Sequence, residues 1–110
     1  MISQVSRDEL QRQLFEDDPP VLVEALGAAY FADAHLPGAI NIPVDQVDRL
    51  APTLLPDPAA DIVVYCSGTC SNSEIAAERL VALGYQRVRV YLGGKEEWVE
   101  HGLPVERSSE

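Results

Sequence analysis

Short apolar runs alternate with amphipathic stretches along the chain, and each change of period marks the edge of an element. Ile2 to Val5 reads as a short strand. Ser6 follows as a helix cap, and Glu9 three residues later completes a capping box, so that Leu10 and Leu14 share one face of a helix ending before Pro19-Pro20. Val21 to Glu24 is the next strand. Ala25 to Ala39 has the pattern of a loop, in which Pro37-Gly38 turns the chain into a short extended segment, Ala39 to Ile42. Pro43 closes that segment. Val44 to Leu50, with Leu54, carries a short helical pattern stopped by Pro56 and Pro58. Asp61 to Tyr65 is the clearest buried strand. Asn72 to Leu83 carries Ile75, Ala76, Leu80 and Leu83 at helical spacing, with Gly84 where a C-terminal cap belongs. Val88 to Tyr91 is a last strand, after which Gly93-Gly94 opens a helix to about His101, ended by Gly102 and Pro104.

Strands alternating with helices across short loops predict an α/β fold: a mainly parallel sheet covered on both faces, with its ligand site outside the carboxyl ends of the strands. At 110 residues the chain is expected to form one domain, with a core from about residue 3 to residue 105 and a flexible tail over residues 106–110. A formal charge of −10, with only eight basic residues and no cluster among them, argues against nucleic acid as a partner. No apolar stretch is long enough to cross a bilayer, and Met1 to Arg7 lacks the apolar core of a secretory signal, so a cytoplasmic, non-membrane location is expected.

The candidate chemistry lies where the strand Ile62-Val63-Val64-Tyr65 ends in Cys66, followed by Ser67-Gly68-Thr69-Cys70-Ser71 and then a helix. Backbone N–H groups of a tight loop and the start of the next helix would converge there on the sulfur and favour thiolate over thiol. Cys66 is the expected nucleophile. Ser67, Gly68, Thr69, Cys70 and Ser71 are the expected anion cradle, the hydroxyls adding donors and Gly68 permitting a backbone angle that a side chain forbids. Two cysteines so close in sequence read as a reactive pair in preference to a structural staple, and with two distant histidines they do not make up a zinc site. No metal or other cofactor is expected.

Three stretches resemble the rhodanese family in order and spacing. Ala34-His35-Leu36-Pro37-Gly38-Ala39-Ile40-Asn41-Ile42-Pro43 is similar to a hallmark motif of those domains, and Val63-Val64-Tyr65-Cys66 with the helix Ala76-Ala77-Glu78-Arg79-Leu80 resembles their active-site strand, loop and helix. Val90-Tyr91-Leu92-Gly93-Gly94 through Trp98 to Gly102-Leu103-Pro104-Val105 is similar to their carboxyl-terminal signature. The resemblance implies a rhodanese-like three-layer sandwich with a five-stranded sheet. It also implies a sulfurtransferase in which Cys66 takes sulfane sulfur from thiosulfate or a protein persulfide, holds it as a persulfide, and passes it to a thiol or cyanide.

Charge separates this loop from many family members that use thiosulfate, which place Arg or Lys within it; here there is neither. Free oxyanions are therefore expected to bind weakly, and protein partners to be the better donors. Asn72, not arginine, is the sixth residue after Cys66, which removes the bidentate grip a phosphatase loop requires. At Val23-Glu24-Ala25-Leu26 the family commonly has an Asp followed two residues later by Arg; Glu24 retains an acid, and Leu26 supplies no cation. Cys70 permits attack on a Cys66 persulfide, with release of sulfide and a Cys66–Cys70 disulfide. Two alternatives stay open: a non-catalytic rhodanese module that binds a protein partner, and a thiol redox protein using Cys66 and Cys70.

Other chemically tempting residues read more simply as structure. His35 is expected to hydrogen-bond within its turn, His101 to be a solvated residue near a helix end, and Trp98 and Tyr65 to lie in the core. Lys95 is the one nearby cation for an anionic substrate, against the plainer reading of a solvated surface lysine.

Overall fold

A computed structural model of the chain describes residues 2–68 and 70–107. Five strands form one sheet: β1 (Ser3–Gln4), β2 (Val21–Glu24), β3 (Ile40–Asn41), β4 (Asp61–Tyr65) and β5 (Arg87–Tyr91), in the order β1-β5-β4-β2-β3. All neighbours pair in parallel. Four α-helices connect them, α1 (Arg7–Gln13), α2 (Ala28–Asp33), α3 (Val47–Leu54) and α4 (Asn72–Ala82), with a 3-10 turn at Val44–Gln46 leading into α3, and α5 (Gly94–Glu100) follows β5.

The central strands are apolar almost without interruption because both faces are covered, which is what a parallel sheet requires. Side chains of β4 alternate between two cores. Ile62 and Val64 pack with Val23, Ala51, Ala76, Leu80 and Val90 under α3 and α4, whereas Val63 and Tyr65 pack with Leu10, Leu22, Leu36, Tyr91 and Trp98 under α1 and α5. A one-residue slip of β4 would exchange every contact, so packing fixes its register to β2 and β5.

Local signals set most boundaries. The Ser6 hydroxyl accepts from the Glu9 N–H at 3.2 Å and starts α1. α4 ends in a Schellman motif, with Tyr85 N–H donating to the Leu80 carbonyl and Gly84 N–H to that of Val81. Pro52 lies inside α3 and forfeits one helical hydrogen bond there, yet Val47 and Ala51 remain buried and hold the helix on the sheet.

Three expectations are corrected. The stretch read as a loop from Ala25 to Ala39 contains α2, which buries none of its residues and so shows no amphipathic pattern. On α4 the buried stripe is Ser73, Ala76, Ala77 and Leu80, spaced i, i+3, i+4 and i+7, while Ile75 is 53% exposed. The ordered fold also continues to Glu106: its backbone exchanges hydrogen bonds with His35, and its carboxylate accepts from the Gly38 N–H at 3.0 Å.

Candidate active site

Cys66 is the first residue after β4, and the sheet delivers it buried at the carboxyl end of the central strand. Its Sγ is bonded to Cys70 Sγ, the two Cα atoms lying 6.7 Å apart. Two polar atoms among the described residues lie within hydrogen-bonding reach of Cys66 Sγ: the Cys70 carbonyl oxygen at 3.3 Å and the Ser73 hydroxyl at 3.6 Å. They act in opposite directions on a free thiol. A carbonyl can only accept, which favours S–H, whereas the hydroxyl can donate to a thiolate. Ser73 is itself 1% exposed and stands in the first turn of α4, whose unpaired N–H groups add positive potential at the same end. The sequence reading did not single out Ser73. Its signal was a polar residue heading the apolar stripe of α4.

The loop is fastened from the other side by α5. Lys95 N–H donates to the Cys66 carbonyl at 2.9 Å and Glu96 N–H to the Ser67 carbonyl at 2.8 Å, so two otherwise unpaired donors of the helix start hold two successive loop residues. Backbones meet too closely here for side chains. Gly94 has φ +67°, and a Cβ on it would stand 2.6 Å from the Cys66 carbonyl oxygen and 2.7 Å from the Gly68 nitrogen. Gly68 has φ +142°, and a Cβ there would lie 2.9 Å from the Gly93 carbonyl oxygen.

Beneath this junction lies a buried polar network. Glu24, at the end of β2, is fully buried and accepts from Tyr65 Oη at 2.8 Å and from Lys95 Nζ at 3.1 Å. Lys95 Nζ donates further to the carbonyls of Tyr30 at 2.8 Å and Ala34 at 2.6 Å, and Leu36 N–H donates to Tyr65 Oη at 3.0 Å. Burial, and then the Glu24 charge, push the Tyr65 phenol far above the ordinary tyrosine range. Lys95 is thus neither a substrate-binding cation nor a solvated lysine: all three of its donors face protein acceptors. It supplies from α5 the positive charge that Leu26, two residues past β2, does not supply.

The other expected residues fall as follows. Ser67 is half-buried and lines a cleft of about 570 Å³ with Tyr30, Asp33, Lys95, Glu96, Glu100 and Arg107. Ser71 is exposed and caps α4 without a side-chain hydrogen bond. Thr69 lies outside the described residues. Asn72 donates to the Ala25 carbonyl at 3.4 Å. His35 Nδ1–H donates to the Phe31 carbonyl at 2.8 Å while its ring stacks on Phe31, which makes it the expected turn residue. Trp98 is buried and donates to the Pro104 carbonyl at 2.7 Å; His101 is exposed at the end of α5. Among the described residues no group of His, Cys, Asp and Glu is arranged to hold a metal ion, and no helix is long and apolar enough to cross a membrane.

Comparison with known families places this arrangement. The rhodanese-like domain matches residues 6–101. The chain belongs to the rhodanese-like family. A sulfurtransferase of Allochromatium vinosum is 27% identical to it over 105 residues, covering 96% of this chain and 95% of that protein. An HTH-type transcriptional regulator of Mycobacterium tuberculosis is 35% identical over 106 residues, and there the match spans 96% of this chain but 45% of the regulator. The crystal structure of a thiosulfate sulfurtransferase from Pseudomonas aeruginosa superposes with a TM-score of 0.86 at 26% identity, covering 97% of this chain and 20% of that one. This rhodanese-like domain therefore corresponds to nearly the whole of one relative and to a fraction of the other two.

Proposed function

We propose that this rhodanese-like domain is a sulfurtransferase that carries sulfane sulfur on Cys66. The observation that carries the reading is the setting of the Cys66 sulfur, at the carboxyl end of β4 and against the buried Ser73 hydroxyl at the start of α4. In the reduced protein the Cys66 thiolate attacks the sulfane sulfur of a donor R–S–SH. The donor S–S bond breaks with its electron pair leaving on R–S⁻, and Cys66 becomes Cys66–S–SH. An acceptor thiolate or cyanide then attacks the terminal sulfur, taking it away and returning the Cys66 thiolate.

Charge selects the donor class. With Lys95 engaged by Glu24, the carboxylates of Asp33, Glu96 and Glu100 outnumber Arg107, the remaining cation lining the cleft beside Ser67, so a protein persulfide is a better donor than a free dianion. The supporting part of the cradle is Ser67, Gly68, Cys70 and Ser71, with Thr69 between them. The test is thiocyanate release on adding cyanide to protein treated with a polysulfide donor and then desalted. Cys70→Ser, whose one remaining thiol is Cys66, is expected to release thiocyanate, and Cys66→Ser none; equal release from both would refute the assignment.

A second reading, a thiol–disulfide redox protein, is favoured by one observation, the bond between Cys66 and Cys70. It requires reversible disulfide exchange with no sulfane donor present, and a sulfur-free thiol exchange assay separates it from the first.

A further inference from the structure

The two cysteines differ in access as well as position. Cys66 is 2% exposed, whereas Cys70 is half-buried, and its sulfur reaches the inner sulfur position of any group built on Cys66. Deepening the persulfide reading, on which it rests, we propose that Cys70 resolves the Cys66 persulfide and makes this domain a sulfide-releasing enzyme. The Cys70 thiolate attacks Cys66 Sγ, and its electron pair forms the Cys66–Cys70 bond. The bond from Cys66 Sγ to the terminal sulfur breaks, with its pair leaving on hydrosulfide, HS⁻. The proton lost by the Cys70 thiol balances the one hydrosulfide takes up as hydrogen sulfide. The sulfane sulfur is reduced to sulfide, the cysteine pair is oxidised to a disulfide, and this half of the cycle needs no outside oxidant.

The return half has a direction set by the same geometry. An external thiol, the reductant of the cycle, meets the more accessible Cys70 sulfur and forms a mixed disulfide there. Cys66 leaves as a thiolate, the form that the Ser73 hydroxyl and the start of α4 stabilise. A second external thiol then frees Cys70. While the disulfide stands, Cys66 is both covered and occupied, so sulfur loading stops until reductant is available. The loop's lack of a cation fits this role, since a persulfide destined for an internal thiol needs no site to hold an oxyanion.

The experiment uses full-length wild type and Cys70→Ser, both fully reduced, desalted, and given one equivalent of an organic persulfide in the absence of free thiol. Sulfide is trapped and counted while intact mass is followed. Wild type is expected to release about one sulfide per chain beyond a protein-free donor control and to end lacking two hydrogens, whereas Cys70→Ser keeps one extra sulfur and releases none. A wild type that retains its extra sulfur without releasing sulfide overturns the proposal and leaves the persulfide reading standing. Equal sulfide release from both proteins overturns it as well. If Cys70→Ser gains no sulfur at all, the persulfide reading itself fails and the resolving role falls with it.

Discussion

Replacing Lys95 with methionine removes the cation from a carboxylate that has no access to water. Glu24 is fully buried, and the Lys95 side chain is 14% exposed, so their 3.1 Å pair lies inside the protein, beyond the reach of solvent screening. Methionine keeps most of the stem's packing but leaves Glu24 with Tyr65 Oη as its one side-chain donor among the described residues, and the Tyr30 and Ala34 carbonyls lose theirs. Breaking a buried pair from one side costs about 3–5 kcal/mol, against about 0–1 kcal/mol for an exposed one. In a domain of this size that corresponds to a fall in Tm of more than about 10 °C. The assay is equilibrium urea unfolding of wild type, Lys95→Met, Glu24→Gln and the double variant. Because the lone buried charge is the source of the cost, the double variant is expected to recover at least about 1 kcal/mol relative to the sum of the two single losses. A loss below about 1 kcal/mol in Lys95→Met, or strict additivity in the cycle, would refute the reasoning.

Three further outcomes follow from the same geometry. Ser73→Ala, in a Cys70→Ser background, is expected to raise the Cys66 pKa by about one unit, since a hydrogen bond to a charged group contributes about 1.5–3 kcal/mol; the pH profile of iodoacetamide alkylation reads it, and an unmoved profile refutes it. Gly94→Ala forces a Cβ against the Cys66 carbonyl in a left-handed backbone conformation, and a loss of at least about 2 kcal/mol is expected in thermal unfolding, with wild-type stability the contrary result. Tyr65 has a folded-state pKa raised by burial and by Glu24, so its stabilising contribution is complete below the unfolded tyrosine value of about 10 and is lost as pH rises beyond it. Stability should therefore fall above that pH, and fall less steeply in Tyr65→Phe; parallel slopes would count against the assignment.

Where burial was continuous, the sequence was legible to the residue. β2 and β4 have the boundaries expected from Val21 to Glu24 and from Asp61 to Tyr65, because both faces of these strands are covered and each reads as a near-continuous apolar run. Cys66 could be placed for the same reason, as the first residue past a buried strand. α2 was invisible because none of its residues is fully buried and it therefore leaves no periodic trace. Lys95 was misread because one-dimensional pattern cannot say that α5 aims it at the end of β2, some seventy residues away in the chain. Ile75 drew attention from Ser73 for a related reason: hydrophobicity found Ala76 and Leu80 on the buried stripe of α4 but added the exposed Ile75 to them and passed over the buried hydroxyl beside the thiol. The bond between Cys66 and Cys70 depends on how the loop folds, which spacing alone leaves open.

The central claim is that Cys66 is the sulfur carrier, and peptide-level mass spectrometry of the Cys70→Ser protein after treatment with an organic persulfide tests it most directly. The account predicts one additional sulfur on the peptide containing Cys66, absent from the same peptide after cyanide treatment. An unmodified Cys66 peptide, in a folded protein whose thiol still reacts with iodoacetamide, would contradict it.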